Sequence, residues 1–285
     1  MEAMTSIRKI DLTVLNNAVE EHTPSHVFAL FSGGHDSVCA LRVAMEHPQF
    51  RAAVFIDTGT GIPETREYVH ETARALGVKL HEFKTPPEVF EGMVLKHGFP
   101  GPAQHNVCYS LLKERRLRDL TREFKQHSRD RIVLVSGVRR DESVRRMGTT
   151  AEVTRDGARV FVAPILEWTA MDRLPFMETH GIKPSPVVAN LHRSGECNCG
   201  AFAAPGELDF VEMFYPQFAA GLRDLERRAY ACQPHAARWG ERPSEPIPQE
   251  QMWLPLCQSC PTRWEGRTDG REDVLTARVA SMGGI

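Results

Sequence analysis

His26–Cys39, HVFALFSGGHDSVC, decides the fold: a short apolar run stops at Ser32-Gly33-Gly34-His35-Asp36-Ser37 and passes into an amphipathic helical pattern. Two glycines let backbone N–H groups turn towards an anion without an obstructing Cβ. Ser32 and Ser37 add hydroxyl donors, and the helix that follows aims its positive end at the same place. Asp36 would repel a bare phosphate, so its carboxylate is expected to cap the turn or to contact Mg²⁺ indirectly beside a nucleotide. No G-x-x-x-x-G-K-[ST] occurs in the chain, which excludes a Walker A loop.

Working outward, apolar runs alternate with helical patterns through the first two thirds. Residues 26–31, 52–57, 79–83, 131–138 and 159–165 read as strands. Residues 37–46, 64–76, about 110–126 and 171–180 read as helices, and Gly77 and Gly181 follow as left-handed caps. Thr169 and Asp172 form a candidate N-terminal cap. The expected fold is α/β: a doubly wound, mainly parallel five-stranded sheet with ligand outside the carboxyl ends of its strands. From Lys183 the texture becomes rich in Pro, Gly and Cys, and a helical stretch over about 207–231 and a Pro-rich link at 242–248 follow. The expected organisation is a nucleotide-binding domain over 1–182, a helical, Cys-containing extension over 183–264 and a charged tail over 265–285.

With 285 residues, 41% hydrophobic, the chain is long enough to bury a real core. A formal charge of −2 excludes a globally basic nucleic-acid binder, although Arg139-Arg140 and Arg145-Arg146 could form a local basic face. No apolar run approaches the roughly 20 residues that span a bilayer, and the N-terminus lacks an apolar segment after its charges, so a cytoplasmic location is expected. Seven cysteines include two close pairs, Cys197/Cys199 and Cys257/Cys260, which in a reducing compartment suggest metal or redox chemistry. Cys39 and Cys232 fall on expected helix faces and read as core fillers.

Further motifs sit at strand ends. Asp57-Thr58-Gly59 closes the second strand, where a carboxylate, a hydroxyl and a glycine could receive a ribose or adenine edge; an Asx turn before a helix is the plainer reading. After the fourth strand comes Ser136-Gly137-Val138-Arg139-Arg140-Asp141-Glu142-Ser143-Val144-Arg145-Arg146. Its arginines, with Glu142 to orient one of them, could grip a phosphate, sulfate or diphosphate by forked hydrogen bonds. Cys108, Cys197, Cys199, Cys257 and Cys260 offer five thiolates to a site that normally needs four.

S-G-G-x-D-S resembles the PP-loop of the ATP pyrophosphatase superfamily. The D-T-G-x-x-x-P-E-T segment, the G-x-R-x-x-E-S-x-x-R-like segment at Gly137–Arg146, the Cys108 segment with Leu112-Lys113, and Pro164-Ile165-Leu166-Glu167-Trp168 resemble motifs of the phosphoadenosine phosphosulfate (PAPS) reductase family. The resemblance implies an adenine nucleotide alpha-hydrolase-like fold. It implies ATP, PAPS or adenylylsulfate as nucleotide, held by Ser32, Gly33, Gly34, His35, Asp36, Ser37, Asp57, Thr58, Gly59, Gly137 and Arg139. Reactive roles would fall to Asp36, Arg139, Arg140, Glu142, Arg145, Arg146 and Cys197, with Mg²⁺ as cofactor. The cysteine pattern resembles that of the DNA phosphorothioation relatives and implies a [4Fe–4S] cluster on Cys108, Cys199, Cys257 and Cys260, with Cys197 as alternative ligand or sulfur-carrying thiol; structural zinc is the competing reading.

Three functions follow from the resemblance. The first is ATP-dependent adenylation of a nucleic-acid acceptor with pyrophosphate release and iron–sulfur-dependent sulfur transfer, served by a sulfur or electron donor protein. The second is reduction of PAPS or adenylylsulfate to sulfite. The third is a non-catalytic nucleotide-binding subunit, suggested by His35 where many PP-loops carry Lys and by a final segment, Arg278–Ile285, without the tail cysteine of PAPS reductases. Homo-oligomerisation is left open.

Overall fold

The computed structural model describes residues 7–142, 150–233 and 236–240. Six strands form one sheet: β1 His26–Leu30, β2 Phe50–Asp57, β3 Leu80–Lys84, β4 Ile132–Val135, β5 Val153–Asp156 and β6 Arg159–Val162. Their order is β3-β2-β1-β4-β6-β5, parallel throughout except for the antiparallel β5–β6 pair. The chain runs outward from β1 through β2 to β3, then crosses back to place β4 on the other side of β1. Two loops at neighbouring carboxyl ends, after β1 and after β4, therefore diverge from a topological switch point, where open α/β sheets bind ligands.

Both faces of the sheet are covered, which explains the continuous apolar runs of its central strands. On one face Val27, Ala29, Ala53, Phe55, Val133 and Val135 pack with Leu15 of α1 (Thr13–His22), Val38 and Leu41 of α2 (His35–Ala44), and Tyr68 and Val69 of α3 (Pro63–Ala75). Phe176 and Met177 of α7 (Arg173–Thr179) join them. On the other face Phe28, Ala52, Val54, Ile132 and Leu134 meet Leu117 and Leu120 of α6 (Arg115–Phe124).

A third apolar cluster lies beyond the sheet. It joins α4 (Pro87–His97), Cys108 of α5 (His105–Tyr109), and Leu112 in the π-helical turn Ser110–Glu114 that links α5 to α6. To these it adds α8 (Pro186–Leu191), α9 (Glu207–Phe214), α10 (Pro216–Cys232) and Trp239. The cluster carries Cys108 and Cys199 together, so the cysteine-bearing segments are brought to one place by apolar packing.

The sheet has six strands where five were expected. The addition, β5, is an edge strand whose Thr154, Arg155 and Asp156 are exposed, so no alternation of apolar residues marks it. Helices α1, α4, α5 and α8 also lie outside the expected set. The expected helix at 207–231 is two helices, because Pro216 disfavours helical backbone at Tyr215 and opens α10 as its first residue. Thr169 and Asp172 do form a capping box, the Asp172 carboxylate accepting from the Thr169 N–H at 2.7 Å and its hydroxyl at 2.9 Å. Cys39 is buried as expected, whereas Cys232 is exposed at the end of α10, where the helix has left the core.

Candidate functional site

The loop after β1 closes on itself. The Ser37 hydroxyl donates to the Gly34 carbonyl at 2.8 Å and accepts from the Ser32 N–H at 3.2 Å, with the Ser32 hydroxyl 3.3 Å away. Gly33 adopts φ +80°, in the left-handed region, and a Cβ there would meet Thr65 Cγ2 at 2.9 Å. Helix α2 starts at His35, so its positive end adjoins this turn.

Gly137, after β4, lies directly against it: a Cβ at Gly137 would stand 2.5 Å from Asp36 C and Ser37 N. Arg139, 2% exposed, donates from Nε to Asp36 Oδ1 at 2.5 Å and from Nη1 to Asp141 at 3.2 Å and the Trp168 carbonyl at 3.5 Å. Arg173 reaches Asp36 Oδ2 at 3.5 Å. The Gly-loop and the arginine segment thus converge. Asp36 serves as the carboxylate that neutralises Arg139 and Arg173, and α2 has no side-chain cap.

Ser32, Gly34, Asp36, Ser37, Gly137, Arg139 and Arg173 line a cavity of about 640 Å³, a size suited to a small-molecule ligand, together with Ile56, Lys113, Glu142, Arg193, Ser194, Glu196 and Cys197, whereas Gly33 shapes the turn from outside the lining. His35 also lines it and is mostly buried; its Nε2 accepts the Ser185 N–H at 3.2 Å. Burial and the nearby Arg173 push its pKa down to about 4 against the pull of Asp36, so the ring is a neutral acceptor at pH 7 with no proton on Nε2 to give a phosphate. Arg140 lies to one side, paired with Glu167 at 2.7 Å and donating to the Thr150 carbonyl at 3.1 Å. Arg145 and Arg146 lie outside the described residues.

Asp57, Thr58 and Gly59 support the site from outside the cavity lining. Asp57 accepts the Gly59 N–H at 2.9 Å in an Asx turn, and the fully buried Thr58 donates to the Glu196 carbonyl at 2.7 Å. Thr60 donates to Cys197 Sγ at 3.7 Å, and Asn198 binds Thr60 and Gly195 through its side-chain amide. Backbone at Glu196 comes so near Gly61 that a Cβ there would stand 2.9 Å from the Glu196 carbonyl oxygen. The D-T-G-T-G run therefore moulds the cysteine-bearing loop against the carboxyl end of β2.

Three thiols meet at that loop: Cys197 is hydrogen-bonded to Cys199, and Cys199 to Cys108. The bond to Cys199, with burial, holds Cys197 well above the usual thiol range, although Lys113 opposes the shift. Cys199 is pushed up to about 11, chiefly by its bond to Cys108. Lys113 Nζ lies 2.8 Å from Glu196 Oε2. Burial pushes Glu196 up to about 7 despite Lys113; burial opposes the ammonium too, yet Glu196, Cys197 and Cys199 raise Lys113. Three buried polar side-chain atoms on this loop have no hydrogen-bond partner within the protein: Arg193 Nη2, Glu196 Oε1 and Asn198 Oδ1.

Among the described residues no group of three or more His, Cys, Asp or Glu side chains is placed to hold a metal ion. The donor set read from the sequence also needs Cys257 and Cys260, which lie outside the described residues. Sequence reasoning missed Arg173, Arg193, Glu196 and Thr60 as site residues. Glu196 and Thr60 adjoin flagged motifs and could have been found there; Arg173 and Arg193 carry no local signal. The described residues contain no helix long and apolar enough to cross a membrane.

Residues 26–200 match the phosphoadenosine phosphosulfate reductase domain family. An adenosine 5'-phosphosulfate reductase of Mesorhizobium japonicum is 24% identical over 197 residues, covering 69% of this chain and 74% of that protein. A phosphoadenosine 5'-phosphosulfate reductase of Xylella fastidiosa is 25% identical over 172 residues, covering 59% and 69%. A crystal structure of a phosphoadenylyl-sulfate reductase from Candida auris, in a phosphate complex, is similar with TM-score 0.47 and 15% identity, covering 62% of this chain and 82% of that one.

Proposed function

The chain belongs to the phosphoadenosine phosphosulfate reductase family, and from that premise we propose that it binds an adenine nucleotide at the Ser32–Ser37 loop and carries out thiol-dependent sulfur chemistry on it. The observation that carries this reading is that one cavity is lined both by the Gly-loop and by Cys197. A phosphate-type anion at the loop and a sulfur nucleophile then share one enclosure.

With a nucleotide sulfate such as adenylylsulfate or PAPS as substrate, the Cys197 thiol loses its proton and attacks the sulfate sulfur. The S–O bond to phosphate breaks, the nucleotide leaves, and the sulfonate stays on Cys197. A second thiol attacks Cys197 Sγ, sulfite departs, and a disulfide remains, the two electrons coming from the two thiols. Cys199, hydrogen-bonded to Cys197, is the nearest candidate within the chain; an external dithiol would restore both. Lys113 lowers the cost of forming the Cys197 thiolate.

A second reading is ATP-dependent adenylation of a nucleic-acid acceptor with pyrophosphate release and sulfur delivery. The meeting of three thiols favours it, since the reduction above uses two of them and leaves Cys108 without a part. In that reading Cys108, Cys197 or Cys199 with Cys257 and Cys260 would hold an iron–sulfur cluster that supplies sulfide or electrons, and Mg²⁺ would accompany ATP. The test is incubation of the anaerobically purified chain with a dithiol and adenylylsulfate, PAPS or ATP. Sulfite from a nucleotide sulfate, lost in Cys197→Ser, supports the first reading. Pyrophosphate from ATP with iron and labile sulfide in the protein supports the second, and no product from any nucleotide defeats both and leaves a nucleotide-binding subunit.

A further inference from the structure

The cations that line the cavity are not equally free to meet a ligand. Arg139 is divided among Asp36, Asp141 and a carbonyl; Arg173 is held by Asp36 and the Ala170 carbonyl; Lys113 is paired with Glu196. Arg193 differs. Its Nη1 lies 2.9 Å from Glu207 Oε1, while Nη2 is buried and has no hydrogen-bond partner within the protein. A guanidinium carries five donors in a rigid fork, so fixing one arm fixes the direction of the other.

The anchor is itself fixed. Glu207 is mostly buried, and its Oε2 accepts the Ala204 N–H at 2.8 Å, so the carboxylate is held by backbone on one side and by Arg193 on the other. Arg193 also sits beside the Gly-loop: its neighbour Ser194 comes so near Gly34 that a Cβ on Gly34 would stand 3.3 Å from Ser194 Cβ. Leaving a buried donor unmade is costly, and a ligand that supplies the acceptor recovers that cost on binding.

We propose that Arg193, pre-oriented by Glu207, is the second anion contact of the nucleotide site: its Nη2 donates to a phosphate or sulfate oxygen of the bound adenine nucleotide. The assignment rests on the nucleotide reading above and extends it to a residue outside the Gly-loop and the arginine segment. Glu196 Oε1, the unpartnered acceptor in the same cavity lining, complements it. A ligand with an anionic oxygen for Arg193 and a hydroxyl or amine for Glu196 satisfies both, and a nucleoside phosphate has both groups.

The experiment is calorimetric titration of the full chain and its variants with AMP and with adenosine, beside iodoacetamide labelling of Cys197 read by mass spectrometry. Arg193→Gln is expected to weaken AMP about 10- to 100-fold, the value of one charge-assisted hydrogen bond, and to leave adenosine unchanged. Should Arg193→Gln fail to fold, Arg193→Lys carries the test: a single ammonium cannot bridge Glu207 and a phosphate as a fork does, and an approximately 3- to 10-fold loss of AMP affinity is expected. AMP affinity equal to the parent's in the folded variant overturns the assignment while the nucleotide reading stands. If AMP neither binds the parent nor slows labelling of Cys197, the nucleotide reading falls and the assignment falls with it.

Discussion

Gly137→Ala tests whether the contact between the loops after β1 and β4 builds the site. The added Cβ would stand 2.5 Å from Asp36 C and Ser37 N and 2.6 Å from the Asp36 carbonyl oxygen, all backbone atoms. Ordinary carbon contacts lie at about 3.5–4.0 Å, so one loop must retreat from the other by about 1 Å. Overpacking of this kind costs about 1–3 kcal/mol. For a domain of about 150–250 residues, at about 2–4 °C per kcal/mol, that corresponds to a melting point lowered by about 2–12 °C. The displaced backbone carries the Gly-loop, so AMP affinity should fall at least about tenfold, the value of one charge-assisted hydrogen bond. Gly92→Ala is the control: Gly92 lies within α4 with nothing within 4 Å of the new Cβ, and a gain of up to about 1 kcal/mol is expected. Thermal melts and calorimetry on the three proteins decide it. A Gly137→Ala protein that melts with the parent and binds AMP equally would refute the close approach of the two loops.

Other perturbations probe the same frame. Asp36→Asn leaves the buried Arg139 guanidinium short of its nearest carboxylate and should cost about 3 kcal/mol in urea unfolding; a loss under about 1 kcal/mol would mean that Asp141 and Arg173 already balance the charges. His35 has a folded pKa of about 4 against an ordinary 6.5, so the unfolded chain binds the extra proton between those values. Its contribution to stability is full above pH 6.5 and is lost as pH falls towards 4. The stability difference between the parent and His35→Asn should therefore shrink by about 3 kcal/mol from pH 6.5 to 4, and a difference independent of pH would contradict a buried neutral ring. Thr58→Val removes the donor to the Glu196 carbonyl and leaves that buried acceptor unpaired. A loss of about 1–3 kcal/mol and faster iodoacetamide labelling of Cys197 are expected, and unchanged labelling would show that the loop is held elsewhere.

Much of the fold was legible because its signals are local. The apolar runs of β1, β2 and β4, buried on both faces, left uninterrupted hydrophobic stretches, and Gly77 and Gly181 marked helix ends with the left-handed φ that they adopt. The edge strand β5 was silent, because three of its four side chains face solvent and no periodicity results. At the site, the convergence of Gly33–Ser37 with Gly137–Arg139 follows from strand order once the sheet is recognised as doubly wound. The partner of each charge does not. Asp36 and Arg139 are 103 positions apart, Arg193 and Glu207 sit on a turn and a helix with no shared motif, and the Ser185 N–H that His35 accepts comes from 150 positions away. Pairings of this kind are settled by packing between distant segments, and a single sequence carries no mark of them.

In the proposed function one adenine nucleotide lies between the Gly-loop and the Cys197 loop. A crystal structure of the Cys197→Ser variant soaked with adenosine 5'-phosphosulfate tests it most directly. The phosphosulfate is expected on the turn at 33–37, within reach of Arg193, with its sulfur about 3–3.5 Å from the hydroxyl oxygen introduced at position 197. Nucleotide bound elsewhere on the protein, or bound with its sulfate pointing away from position 197, would contradict it.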